Sequence, residues 1–447
     1  MVELDSATLS RILTASTLMF HAIFATIGVG IPIFIMLAEF LGIKRKDPQL
    51  LILARRWARG YTITVAVGVV TGTAIGLQLS LLWPSFMQLA GQVIALPLFM
   101  ETFAFFFEAI FLGIYLYTWD RFKNRWLHWL LTIPIVIGST LSAFFITSVN
   151  AFMNFPQGFE LVNGETVNID PLAAMFNPAT WPKVFHVVMS AYMTAAFILA
   201  AITAFAILRK KGTEYHKKAL RITMIAGLVF AAGTALAGDL SAKYLAEHQP
   251  EKLAAAEWHF ETETNADLIL FGTINEDREI SNAIRIPGML SFLAGNSFDT
   301  EVTGLNEFPE DEQPPLWVHY AFDIMVGIGM YSLLIAGVFI ILMLFKRFNE
   351  WNKPLLWGIV ASGPLAMIAI ECGWVLAEVG RQPWILRGYM RVEEGATTSG
   401  DVGIALAMFL LLYGVLAVFC VTVLIKMFKN RPPEAEVEKR YPNGTID

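Results

Sequence analysis

Charge is scarce in this sequence. Only 16% of its 447 residues are Asp, Glu, Lys or Arg, against about 25% in soluble domains. Cysteine is scarcer still. Cys372 and Cys420 both lie inside apolar runs, and no CxxC or CxxCH occurs, which excludes a disulfide framework, covalently attached heme and a cysteine-ligated iron–sulfur cluster. No basic block is long enough to track a phosphate backbone, and the net charge is −6, so nucleic acid is not an expected partner. The apolar runs do not alternate with polar residues, which excludes a spanning β-barrel. The N-terminal MVELDSATLSRIL lacks a basic region, and the apolar stretch behind it is too long for a signal peptide. No internal repeat appears, so an inverted-repeat transporter gains no support.

What is present is apolar residue, 56% of the chain, gathered into runs long enough to cross a bilayer core of about 30 Å. Backbone groups in lipid must be satisfied internally, so continuous runs become helices. The expected spans are about 14–42, 60–83, 92–119, 127–149, 183–208, 219–242, 318–345, 354–379 and 402–425. Most lysines and arginines fall in alternate loops. Lys44, Arg45, Lys46, Arg55, Arg56 and Arg59 join the first two runs, and Arg121, Lys123 and Arg125 follow the third. Arg209, Lys210, Lys211, Lys217, Lys218 and Arg221 follow the fifth, Lys346, Arg347 and Lys353 the seventh, and Lys426, Lys429, Arg431, Lys439 and Arg440 the ninth. Basic loops stay in the cytoplasm, which puts the N-terminus outside, the C-terminus inside and the number of spans at an odd value. The chain thus reads as a single all-α domain over 1–447, a polytopic transmembrane helical bundle of about nine spans. It carries a long outer loop at 243–317 and a cytoplasmic tail at 429–447. Pro250 and Glu251, followed by Lys252 to Glu257, read as a short helix in that loop.

Ionisable groups inside spans are costly and so are functional candidates. His21, in Phe20-His21-Ala22, and His186, in Lys183-Val-Phe-His186, each read as an iron ligand or as a histidine bonded to a neighbouring helix; two at outer depth favour ligation. Met325, one of 18 methionines, is by itself more often packing than a ligand. Glu101 and Glu108 lie seven residues apart, on one helix face about 10 Å apart along the axis. They read as stations of a proton path, or as protonated carboxyls bonded to a facing helix; carboxyl chains typify relays. Glu371 and Glu378 repeat that spacing. Arg381 would neutralise an anionic group such as a heme propionate, or snorkel beside the interfacial Trp384. By the loop charges, His21, His186, Met325 and Glu378 share the outer half. Glu101 lies nearer the outside and Glu108 deeper. A redox cluster at that depth would take electrons from an outer donor and, if electrogenic, draw protons from inside.

At these residues the chain resembles subunit I of the cytochrome bd quinol oxidases, collinearly over nearly its whole length. The matching segments are Ser10-Arg11, Phe20-His21, Glu101 to Glu108, Asn150-Ala-Phe-Met153 with Pro156 and Gly158, Lys183 to His186, and Gly238-Asp239. They continue with Lys252 to Glu257-Trp258, Met325-Val-Gly327 and Gly373-Trp374 through Glu378 to Gly380-Arg381-Gln382-Pro383-Trp384. The resemblance implies a terminal oxidase of a bacterial cytoplasmic membrane that oxidises quinol at the outer face. It reduces O2 to water through hemes b558, b595 and d, or a third b-type heme in place of d, and generates proton motive force without pumping. His186 and Met325 would be the axial ligands of heme b558. His21 and Glu378 would serve the other two hemes, in an order left open, with Arg381 and Trp384 beside the cofactors and Trp374 between hemes. Lys252 and Glu257 would contact quinol. Glu101 and Glu108 would line the route to the oxygen site, joined by Ser139 or Ser142. The implied partners are a second membrane subunit and a very small single-span one. Asp323 departs from the family pattern, since some relatives have arginine there. Gly76-Leu-Gln78-Leu-Ser80 lacks an acidic-aromatic pattern seen elsewhere, and the outer loop lacks a long insertion.

Two rivals remain at this level. A heme–copper oxidase needs clustered histidines, and the 7 here include no adjacent pair. A heme-free proton-coupled transporter would explain the glutamates but neither the outer histidines nor the long loop.

Overall fold

In the computed structural model, which describes residues 5–211, 213–345, 351–429 and 432–442, long helices dominate. Lys346, Arg347, Arg431 and tail residues 443–447, all part of the charge and tail expectations, lie outside the described residues, as do the side chains of Lys210 and Lys211. Among the described residues nine helices are long and apolar enough to span a membrane. They are α1 (Ser6–Arg45), α2 (Pro48–Leu82), α3 (Pro84–Tyr117), α4 (Thr132–Asn154), α5 (Thr180–Ala206), α6 (Glu214–His248), α7 (Val318–Leu344), α8 (Lys353–Val379) and α9 (Val402–Lys429).

Several helices outrun the apolar segments that announce them. Helix α1 has 40 residues, about 60 Å of rise against a core of about 30 Å. Its polar ends are held by caps rather than by lipid. The Asp5 carboxylate accepts from the Thr8 amide at 2.8 Å, and the chain leaves through a left-handed Lys46 (φ 52°) after Lys44 and Arg45 in the last turn, which suits the helix dipole. Asp47 then caps α2, with Pro48 in its first turn. Helix α6 runs on to His248, so residues 243–248 of the expected outer loop are helical.

The helices form two four-membered rings. In the first, α1 packs on α2, α2 on α3, α3 on α4 and α4 on α1; in the second, α5, α6, α7 and α8 close in the same order. The rings join where α5 meets α1 and α4. Small residues permit close approach at the joint, between α1 and α5, and within the second ring, between α8 and α5. A Cβ on Gly30 would stand 2.4 Å from the Ala195 Cβ, and one on Gly363 would stand 2.7 Å from the Ala201 Cβ. Without a hydrophobic force between helices in lipid, such close backbone packing is what holds spans together. Helix α9 lies outside the rings against α1 and α2.

The rest is short. Arg125–Trp129 forms one helical turn before α4, and the hairpin of Glu160–Val162 with Glu165–Val167 precedes α5. Between α6 and α7 the chain forms the expected short helix, Pro250–Glu257. Two small hairpins follow it, Leu268–Leu270 with Ile284–Ile286 and Thr273–Ile274 with Ile280–Ser281. After α8 comes a hairpin of Trp384–Leu386 with Met390–Arg391. The tail helix Pro433–Arg440 folds back on α2, with Glu436 at 2.7 Å from Arg56 and 3.1 Å from Arg59.

Candidate functional site

The two candidate ligands of the second ring stand on diagonal helices, His186 on α5 and Met325 on α7. The helices between them supply glycines. A Cβ on Gly238 of α6 would come 3.6 Å from the His186 Cε1, and one on Gly373 of α8 would come 3.1 Å from the Met325 Sδ. The first ring repeats the device. His21 on α1 faces Gly72 of α2, where a Cβ would stand 3.3 Å from the imidazole Cε1. Thr71 holds the His21 Nδ1 at 2.9 Å, which leaves Nε2 to coordinate. The His186 Nδ1 is buried with no hydrogen-bond partner, an unfavourable state for a ring nitrogen unless something else binds there. Among the described residues no group of three His, Cys, Asp or Glu side chains could hold a bare metal ion. Single ligands on separate helices suit heme instead, whose porphyrin supplies iron's other donors.

Glu378, at the end of α8, is the centre of a cationic cluster. Arg381 donates to it at 2.7 Å, and the Asn150 amide of α4 donates to its other oxygen. Asn150 also accepts from Lys183 at 3.0 Å. Lys252 enters from the short outer helix, donating to the Ala377 carbonyl at 3.0 Å and lying 3.4 Å from the Asn154 side-chain oxygen. Three basic side chains thus gather around one carboxylate. Arg381 is 7% exposed, and two of its nitrogens, Nε and one terminal NH, are buried without partners. Buried guanidinium groups are normally paired, so the cluster fits anionic groups such as heme propionates.

Lys252 and Glu257 sit five residues apart on one helix, on faces about 140° apart, and each looks to a different neighbourhood. Burial, and after it the Arg381 charge, lowers the Lys252 ammonium to a pKa of about 7. Burial, and after it the Asp323 charge, raises the Glu257 carboxyl to about 8. Asp323 lies 3.3 Å from His319 and accepts from the Phe271 amide. Beside this helix is a cavity of about 440 Å³, lined among others by Phe155, Glu251, Phe308, Trp384 and Arg387. Trp384 therefore stands in its wall, with the Arg391 guanidinium over its ring at 5.4 Å. Trp374 is half-buried on α8, one residue from Gly373.

In the first ring the carboxyl stripe of α3 finds two different partners. Ser142 of α4 donates to Glu101 at 2.9 Å, whereas Ser139 turns to its own helix, donating to the Val136 carbonyl. Glu108 is buried and shares a hydrogen bond with the Tyr61 hydroxyl of α2. Glu371 is half-buried, and neither of its carboxyl oxygens has a partner. Sequence reasoning assigned no role to Tyr61, Asn150, Asn154 or Lys183. Asn150 and Lys183 lay in quoted motifs, so a signal existed for them.

The comparisons agree over nearly the whole chain. The family model of cytochrome bd terminal oxidase subunit I matches residues 9–432. The solved bd oxidase of Geobacillus thermodenitrificans contains a chain 62% identical to this one, with a TM-score of 0.93, covering 96% of this chain and 99% of that one. A Bacillus subtilis protein provisionally named cytochrome bd menaquinol oxidase subunit I is 42% identical over 97% of this chain and 99% of its own length. The cytochrome bd ubiquinol oxidase subunit 1 of Bacillus subtilis is 32% identical over 94% and 93% of the two chains.

Proposed function

This chain belongs to the cytochrome bd terminal oxidase subunit I family, and from that premise we propose how its own residues serve quinol oxidation and oxygen reduction. It is a multi-pass membrane protein of a heme-bearing quinol oxidase, and it works with a second subunit. Membership leaves the transporter reading without support. The finer reading is that the chain lies in a bacterial cytoplasmic membrane with its N-terminus outside, and that a very small single-span subunit completes the assembly.

His186 and Met325 would hold the low-spin heme b558, and each is given room by a glycine on a helix between them. His21 and Glu378 hold the two high-spin hemes, b595 and d, or a third b-type heme in place of d. When bound, the hemes would supply electron transfer from quinol and the reduction of oxygen. Arg381, Lys183 and Lys252 would fix the propionates, and Trp374 and Trp384 would pack against the cofactors. Quinol docks against the short helix Pro250–Glu257. Glu257 there has a pKa of about 8, close enough to operating pH to accept a quinol proton. Glu108 and then Glu101, with Ser142, hand protons outward from the inner side. No proton crosses the whole membrane, so charge separates without pumping.

The observation that carries this reading is the unpaired, buried His186 Nδ1, diagonal to Met325 in a closed four-helix ring. The test is a reduced-minus-oxidised absorption spectrum of the purified complex. His186→Ala and Met325→Ala should each abolish the low-spin b signal. Survival of that signal in both variants overturns the assignment.

A further inference from the structure

Pro32 stands inside α1. Proline has no backbone N–H, so the carbonyl four residues earlier, that of Gly28, lacks its helical donor. A buried carbonyl needs a partner from elsewhere. It comes from α2, where the Tyr61 hydroxyl donates to the Gly28 oxygen at 2.9 Å. The same hydroxyl meets the Glu108 carboxyl of α3. Tyr61 is 2% exposed and Glu108 4%, so bulk water does not compete for either.

A phenol has one proton, and a carbonyl can only accept. While Tyr61 donates to Gly28, its contact with Glu108 is a hydrogen bond only if the carboxyl is protonated and donates to the phenol oxygen. An ionised Glu108 can only accept, so the phenol proton must turn to it and leave the Gly28 carbonyl bare. The two protonation states of Glu108 therefore correspond to two orientations of one O–H.

We propose that Tyr61 is a positioning residue for the proton relay, a hydroxyl switch that divides its single proton between the carbonyl exposed by Pro32 and the carboxyl of Glu108. The proposal rests on the reading of Glu108 as a relay station. In each passage the carboxyl O–H breaks and its proton moves on toward Glu101. The Tyr61 O–H rotates without breaking, and a proton from the inner side re-forms the carboxyl. Competition from Gly28 keeps the ionised form from being held too firmly, as a station that must reload requires. The other titratable group acting on Glu108 is Glu101, on its own helix. From α4 it meets Gly138, where a Cβ would come within 3.0 Å of its own Cβ, and α1 presents the Gly28 carbonyl through Tyr61.

Substitutions on the two sides of Tyr61 have opposite consequences, which a mere structural tether would not give. Pro32→Ala restores an N–H to the Gly28 carbonyl, which then needs the phenol proton less, and so shifts that proton toward Glu108 and favours the carboxylate. Tyr61→Phe removes the donor and leaves Glu108 without it. The experiment is infrared difference spectroscopy of the complete oxidase complex, with the Glu108 carboxyl band assigned by its loss in Glu108→Gln. At fixed pH, Pro32→Ala should weaken the protonated-carboxyl band. Tyr61→Phe should retain it and move it to higher wavenumber. Oxygen-reduction turnover should fall about tenfold in each, the scale of one hydrogen bond to a charged group. Bands like wild type in both variants, or changed in the same sense in both, overturn the switch. Undiminished turnover in Glu108→Gln would instead overturn the relay reading, while the band shifts still decide how Tyr61 shares its proton. Pro32→Ala removes a proline from a helix interior, which does not threaten folding, so its band remains a test even if Tyr61→Phe fails to assemble.

Discussion

Replacing Glu257 with glutamine should stabilise this protein and impair quinol turnover together. The carboxyl is 3% exposed, and its Oε2 finds no donor. Burial and the Asp323 charge raise its pKa from an ordinary 4.5 to about 8. The unfolded chain releases this proton near 4.5, while the folded protein retains it until about 8. The unfolded state therefore binds fewer protons throughout that window, so stability falls as pH rises across it and levels off above it. At pH 7 the penalty is about 3 kcal/mol, taking each pKa unit as about 1.4 kcal/mol. Glutamine has nearly the shape of the neutral acid and does not ionise. Glu257→Gln should thus raise the thermal midpoint by a few degrees at pH 7 to 8, with the gain vanishing near pH 4.5. It also accepts no proton. Quinol kcat/KM should fall about 100-fold, the low end for a lost acid–base group, and the rise in wild-type kcat/KM through pH 8 should disappear. Thermal unfolding of the solubilised complex at several pH values, with quinol-dependent oxygen consumption on the same samples, reads both effects. A lower midpoint at pH 7, or a variant that keeps the rise near pH 8, refutes the reasoning.

Other substitutions probe packing. Gly30→Ala would put a methyl 2.4 Å from the Ala195 Cβ and 2.5 Å from the Ala191 carbonyl oxygen. Backbone cannot yield cheaply, so the two rings should separate at a cost of about 1–3 kcal/mol, read as a lower thermal midpoint; no change would count against the tight joint. Gly373→Ala would crowd the Met325 sulfur at 3.1 Å, whereas Gly238→Ala meets His186 at an ordinary 3.6 Å. The first should shift the midpoint potential of the low-spin heme and the second should shift it less; the reverse order would contradict the packing. Glu436→Gln weakens the ion pairs with Arg56 and Arg59 and should speed limited proteolysis of the tail helix, and an unchanged cleavage rate would show that the pairs do not hold it.

The nine spans were legible because lipid imposes one strong rule on composition: continuous apolar runs become helices. Their ends were less legible because hydropathy marks where the chain enters hydrocarbon, and helices do not stop there. Helix α1 begins at Ser6, well before its apolar run, because Asp5 caps it. Helix α6 carries its last turn to His248 through residues expected in the loop. The outer hairpins gave no sequence signal. Strands of two or three residues are too short for alternation to register, and tertiary contacts hold them.

For the site, the sequence supplied residue type and depth but not orientation. Seven-residue spacing correctly put Glu101 and Glu108 on one face of α3, yet their partners come from different helices, Ser142 for one and Tyr61 for the other. Lys252 and Glu257 were joined in expectation because the family resemblance implies that both contact quinol. Helical rotation sends the first toward Arg381 and Glu378 and the second toward Asp323, so a single quinol contact with both would have to bridge two neighbourhoods. Tyr61 was invisible on its own, a phenol between Arg59 and Thr62 at the edge of a span. Its reason lay elsewhere, in a proline of the first span whose missing N–H required a donor from another helix. Unpaired backbone carbonyls behind intramembrane prolines are readable in a sequence, and each asks which side chain answers it. In this chain the answer to Pro32 is the residue that also touches Glu108, so a local defect in one helix and a buried acid in another share a single proton.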